Sequence, residues 1–293
     1  MAIEILTNEE GKEPQEKDYS WFNEQFEKSY IDLSKKPKQP EGVISIGKQT
    51  SIIGDEYPNY IMSKGEISVI KAASKKYKST FKSHLAAVYF TGQSDEFSEI
   101  RGHRKDNESI IDIDTEQGAY YAWNTFYRTK KLCNYASLDG YFPFKIKQMP
   151  TQKRVEFLEM LLESRKVQKP ALVFIDGIAD LLTDTNDLSS STEVFDNLLR
   201  LTDEYDIHIC CIIHNNPGSS KARGHTGTKA TDKSQTVIDI QETEDKSGIF
   251  HVTHQFSRGA RFNDFYFMHD NKGKILYQVD SPDDIEPTEN VPY

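Results

Sequence analysis

Residues 66–81 read EISVIKAASKKYKSTF: an apolar run, a polar loop, and a mixed stretch that opens near Lys78. The phosphate-binding pattern G-x-x-x-x-G-K-[ST] aligns with Ala72-Ala73-Ser74-Lys75-Lys76-Tyr77-Lys78-Ser79, both glycines being replaced. The chemistry of such a loop needs backbone N–H groups aimed inward at a helix N-terminus, an ammonium for the terminal phosphates of a nucleotide, and a hydroxyl for magnesium. Lys78 and Ser79 supply the last two, and Ala73, Ser74, Lys75, Lys76, Tyr77 and Thr80 complete the expected cradle. Ala72 is a small replacement for glycine. Tyr77 is not, because a bulky residue in the backbone conformation that glycine takes there is strained. The competing reading is a lysine-rich helix cap, with Lys71, Lys75, Lys76, Lys78 and Lys82 simply solvated.

Two carboxylates and a basic stretch extend the chemistry. The run ALVFID (171–176) is apolar on both faces and ends in Asp176, the way a magnesium-coordinating carboxylate is presented at the carboxyl end of a buried strand. A turn aspartate is the plain alternative. A second run, IIDIDTEQ (110–117), leads into Glu116, whose carboxylate at a strand tip facing phosphates can deprotonate an attacking water. A third, IHICCII, ends in His214-Asn215-Asn216, a polar tip able to sense a terminal phosphate, or else an ordinary strand exit. Residues 217–235 carry Lys221, Arg223, Lys229 and Lys233 against one acid, Asp232. A mobile basic loop at the carboxyl edge of a sheet suits contact with a nucleic-acid backbone, the alternative being a disordered surface loop. Arg258 and Arg261, in SRGARF, follow a strand-like run, and either can reach a phosphate across a subunit boundary.

These groups work together only if one sheet gathers them. Strand-like runs at 66–70, 110–114, 142–146, 171–176, 207–213, 236–241, 249–256 and 265–268 alternate with helical patterns. This predicts an α/β fold with a mostly parallel sheet flanked by helices. The last runs lie close together, so antiparallel strands are expected at the C-terminal edge. Thr151 reads as the N-cap of a helix bearing Val155, Leu158 and Leu162, and Val194, Leu198 and Leu201 repeat the pattern. Trp21, Phe22, Phe26, Tyr30 and Leu33 recur at helical spacing until KKPKQP (35–40) breaks the run. The expected organisation is an N-terminal arm with a short amphipathic helix (1–40), a main domain (41–280) and an acidic tail (281–293).

Composition narrows the class. The chain has 293 residues with 36 Lys+Arg against 46 Asp+Glu, a formal charge of −10, which argues against a surface that grips nucleic acid all over. The three cysteines, two of them adjacent in an apolar run, exclude a disulfide scaffold and predict a reducing, cytoplasmic setting. No run approaches a membrane span and the first residues lack a signal-peptide pattern, so no membrane partner is expected. His251 and His254, three apart on a strand, fall on opposite faces and do not make a metal pair.

Taken together, KAASKKYKST, IIDIDTEQ, VFIDGIADLLTDTND and IIHNNPGSSKARGHTGT resemble the RecA-like superfamily of P-loop ATPases. The branch they are most similar to is that of the hexameric replicative helicase of mobilisable plasmids, found on bacterial mobile elements and phages. The resemblance runs from about Ile44 to Tyr277. It implies ATP and Mg2+ as cofactors, with Lys78 and Ser79 on nucleotide and metal, Asp176 ordering the metal and Glu116 activating water. It places a phosphate sensor at Asn215, where the family usually has glutamine. It also implies a homo-oligomer, a hexamer-like ring or a filament, that acts on single-stranded DNA with other replication or mobilisation proteins in a bacterial or phage-infected cell. Two other readings stay open: a nucleotide-blind partner protein with the same fold, and a strand-exchange recombinase or its loader.

Overall fold

The computed structural model describes residues 18–36, 38–51, 54–134, 138–184, 187–215, 222, 224–243, 248–270 and 275–279. The chain divides into two compact units, Met1–Gln39 and Pro40–Tyr293. The first contains α1 (Ser20–Ser29), started by Ser20 N–H donating to Asp18 Oδ1. Phe22, Phe26 and Tyr30 form a ring ladder along it, with centroids 6.1 and 5.9 Å apart. Leu33 lies beyond its end, and none of its residues is buried.

The second unit is built on a nine-stranded sheet. Its strands are β3 (Ile67–Ala72), β5 (Ser109–Asp114), β6 (Tyr141–Lys145), β7 (Pro170–Asp176), β8 (His208–His214), β9 (Thr236–Glu242), β10 (Ile249–Ser257), β11 (Phe265–His269) and β12 (Leu276–Val279). The order is β12-β11-β10-β9-β3-β8-β7-β5-β6. The six strands from β9 to β6 are parallel, and β10, β11 and β12 add antiparallel. The expected α/β sheet with an antiparallel C-terminal edge is therefore present.

Side-chain alternation sends successive strand residues to opposite faces. Ile70 and Ala72 of β3 join a core with Phe81 and Leu85, whereas Ile67 and Val69 join another with Leu158, Phe195 and Leu198. The neighbours Cys210 and Cys211 split the same way, and both, like Cys133, are free and buried. The covering helices are α2 (Lys78–Thr91), α3 (Ala119–Leu132), α4 (Thr151–Glu163), α5 (Leu188–Glu204) and α6 (Gly224–Lys233). Among the described residues no helix is long and apolar enough to cross a membrane.

The structure adds one sheet, and two expectations need correction. A second sheet, β2-β1-β4, made of β1 (Gly42–Thr50), β2 (Glu56–Ser63) and β4 (Ile100–Gly102), packs its apolar residues into the α2 side of the core. Gly47 and Pro58, both poor strand residues, mask it in the sequence. Residues 224–233, expected in a basic loop, are the helix α6. Its poor helix formers are overridden by packing: Ala230 is fully buried, and Ser191 on α5 meets Thr226 at 3.3 Å. Thr151 is the first residue of α4, not its cap. Pro150 holds that position without a side-chain bond, whereas α5 is capped by Asp187, which accepts from Ser189 N and Ser190 N.

Candidate functional site

Four neighbouring parallel strands, β3, β8, β7 and β5, end at one rim. Ala72 pairs with His214, and Asp114 with Asp176. From β3 the chain turns through residues 73–77 into α2. Lys75 (φ 60°) and Tyr77 (φ 58°) are both left-handed, a conformation costing about 1–2 kcal/mol per non-glycine residue. Tyr77 has compensation. Its ring stacks on His269 (5.0 Å, 29°) and meets Phe250 edge-on (5.0 Å, 70°); such pairs contribute about 0.5–1.5 kcal/mol each. The two contacts are of the size of the backbone strain, and they take the aromatic ring against β10 and β11. Next to it, Lys76 is ion-paired with Glu242 at the end of β9.

Lys78 is 5% exposed. Its ammonium donates to Ala72 O (3.1 Å), Ala73 O (2.7 Å) and His214 Nδ1 (3.0 Å). An ammonium has only donors, so Nδ1 accepts and the hydrogen of His214 sits on Nε2, which faces Glu116 Oε1 at 3.4 Å. Burial pushes Lys78 down to about 8, opposed by Asp176 and then Glu116. The His214 contact holds the Glu116 carboxyl below its ordinary range despite burial, with Lys78 adding to the effect. Glu116 is thus an anion presented to the rim, the state a proton acceptor requires.

The backbone around Glu116 is fixed from two sides. Asp114 Oδ1 accepts from Glu116 N (3.0 Å) and Gln117 N (2.7 Å). Thr115 Oγ1 lies 2.9 Å from both Asp176 O and Asp180 Oδ2. Gly177 (φ +101°) makes this close approach possible, since a Cβ there would sit 2.2 Å from Thr115 Oγ1.

Asp114 Oδ2 and Asp176 Oδ2 are buried oxygens without a hydrogen-bond partner. They stand on adjacent strands in register, and Asp176 acts on Lys78, the first residue of α2, opposing the fall of its pKa. Asp176 Oδ2 is ion-paired with Lys82 without a hydrogen bond, and a buried carboxylate oxygen left unpaired, as Asp114 Oδ2 is, fits a small divalent cation. Among the described residues no three His, Cys, Asp or Glu side chains cluster as a cage, so such an ion would take its remaining oxygens from polyphosphate and water. Behind the rim, Lys82 Nζ lies 2.6 Å from Asp112 Oδ1 and 3.5 Å from Asp176 Oδ2, and Tyr141 OH donates to Asp112 Oδ2. Burial disfavours the Lys82 charge, but these carboxylates outweigh it and raise its pKa.

The other sequence candidates fall elsewhere. Asn215 turns to the far side of β8: its Nδ2 donates to Asp239 Oδ1 (3.3 Å), and Asp239 also holds Lys71 (2.7 Å) and Gln241 (2.8 Å). His214 is the strand-tip residue between Lys78 and Glu116. Lys71 and Lys82, on the helix-cap reading solvated, are 1% and 0% exposed. Arg258 grips both carboxylate oxygens of Glu66 (2.8 and 2.9 Å) at the amino edge of the sheet, opposite Lys78. Its loop is pinned to the small sheet by Gln49, which accepts from Ala260 N, and by Asn59, which donates to Ala260 O; Arg261 is exposed. Of the basic set, Lys233 pairs with Asp196 on α5 (3.2 Å) and Lys229 lies on α6, whereas Lys221 and Arg223 fall outside the described residues.

No protein-family model and no curated protein matches the chain. Among solved structures it is similar to the crystal structure of the RadB recombinase, with a TM-score of 0.52 and 12% identity over 75% of this chain and 93% of that one. The chain has a RecA-like fold.

Proposed function

We propose that this chain is a RecA-fold ATPase that binds ATP with Mg2+ at the rim of β3, β8, β7 and β5. The observation that carries the reading is the line Lys78–His214–Glu116, an ammonium and a carboxylate joined through one imidazole where a phosphate loop ends. Lys78 and the amides of residues 73–79 hold the phosphates; Ser79 and Asp176 hold the metal, with Asp114 beside it. Magnesium held by these residues would offset the charge of the phosphates. Glu116 accepts the proton of the attacking water, and His214 links its charge to the state of Lys78. Arg258 or Arg261 of a neighbouring copy supplies a further cation, which fits the place of Arg258 at the opposite edge.

The finer reading is a replicative helicase-like motor on single-stranded DNA, assembled with copies of itself, of the mobile-element or phage type. The sequence runs IIDIDTEQ and ARGHTGT support it. A strand-exchange recombinase or loader is the second reading, favoured by the likeness to RadB. ATP hydrolysis by purified wild type, Lys78→Ala and Glu116→Gln proteins, with and without single-stranded DNA, tests the core claim. Both variants are expected to lose turnover, with Glu116→Gln still binding ATP; equal turnover in all three refutes the assignment. ATP-dependent unwinding of a forked duplex supports the helicase branch, and filaments on single strands support the recombinase.

A further inference from the structure

The phosphate loop lacks both glycines, yet its backbone takes the left-handed turn at position 77 that a glycine would provide. Nothing in residues 72–79 explains why a tyrosine holds that conformation. The explanation lies in the antiparallel end of the sheet. Tyr77 is stacked on His269, the last residue of β11, and edge-on to Phe250, the second residue of β10. The preceding residue, Lys76, is ion-paired with Glu242, the last residue of β9, and Glu242 Oε1 accepts from Gly248 N (2.9 Å) just before β10 begins. Phe250 itself stacks on Phe267 (5.3 Å, 24°), which stacks on Phe81 of α2 (5.9 Å, 9°). Two successive loop residues are therefore tied to three successive strands, and the aromatic chain returns to the helix that the loop opens.

We infer that the β9–β10–β11 edge is a clamp that imposes the phosphate-binding shape on a glycine-free loop, with His269 and Glu242 as positioning residues about 170 to 190 positions downstream of it. An L-residue left to itself leaves the left-handed region. The stacked His269 ring fixes the Tyr77 ring, hence its Cα–Cβ direction, hence the orientation of the amides that lead into α2. The geometry assigns to side chains of the antiparallel strands the task that a hydrogen atom performs in a glycine loop. As a claim about nucleotide affinity, it rests on the ATP-binding reading above.

The test compares wild type, His269→Ala, His269→Phe, Tyr77→Gly and the double variant Tyr77→Gly/His269→Ala, all as full chains. Amide hydrogen exchange over residues 72–79 is followed without nucleotide, and affinity for a fluorescent ATP analogue is measured with Mg2+. His269→Ala is expected to speed exchange and weaken affinity by about tenfold each, and His269→Phe to restore both by keeping an aromatic face. In the Tyr77→Gly background the same His269→Ala change is expected to alter either quantity less than about threefold, because glycine needs no clamp. Wild-type values in His269→Ala, or an equal loss in both backgrounds, overturn the inference. If wild type binds no nucleotide, the ATP reading fails, and the exchange comparison still decides the clamp.

Discussion

His214 Nε2 lies 3.4 Å from Glu116 Oε1, while Nδ1 of the same ring accepts a hydrogen bond from Lys78. One imidazole thus separates the cation expected on the phosphates from the anion expected on water, and it is the main reason Glu116 is held below its ordinary range. Replacing His214 by alanine is expected to lower kcat about 100-fold, and to let the Glu116 pKa rise. The acid limb of the pH–rate profile should then move to higher pH. A profile of unchanged shape with lower amplitude would mean that the ring acts only sterically.

The buried pair Lys82–Asp112 gives a stability prediction. Both side chains are at most 1% exposed and 2.6 Å apart. Lys82→Met leaves Asp112 without its cation, and breaking a buried pair on one side costs about 3–5 kcal/mol. Urea unfolding should show this loss in Lys82→Met and a smaller one in Lys82→Met/Asp112→Asn, where no uncompensated charge remains at that pair. A double variant as unstable as the single one would place the cost in packing.

Two buried histidines set the acid side of stability. His208 donates Nδ1–H to Ser63 O (2.7 Å) and accepts from Ser68 Oγ (2.8 Å), and burial pushes its pKa to about 4. His84 accepts from Leu276 N (3.0 Å) and is pushed to about 3, by burial and then by Arg128. Both pKa values are lowered, so the unfolded chain takes protons first as pH falls below about 6.5. Stability is full above that pH and declines as pH falls, down to about 4 for His208 and about 3 for His84. Each histidine should remove about 2 kcal/mol between pH 7 and pH 5. Urea unfolding at the two pH values checks this, with His208→Gln expected to lose its own share of the difference.

The sheet was legible because its strands are apolar on both faces and end in acids, as ALVFID does. The small sheet was hidden by Gly47 and Pro58, which interrupt its alternation, and α6 by glycines and threonines whose helical state depends on α5. At the rim, the strand-tip positions of Glu116 and Asp176 could be read from the sequence, but which of His214 and Asn215 faces Lys78 turns on the alternation at the end of β8. A one-residue shift reverses that. Lys71 and Lys82 look like surface lysines because their partners, Asp239 and Asp112, are distant in sequence. Strain at Tyr77 could be read from its type; its remedy, in Phe250 and His269, could not.

The salt bridge between Arg258 and Glu66 has a consequence for how catalytic output depends on protein concentration. Glu66 directly precedes β3, so that arginine stands at the far end of a six-residue strand, about 20 Å from the loop its own chain folds. On the proposed assignment, a guanidinium held there reaches the phosphates of a neighbouring copy and not those of its own loop. Turnover per molecule should therefore climb as the solution is concentrated and level off once every rim has a neighbour.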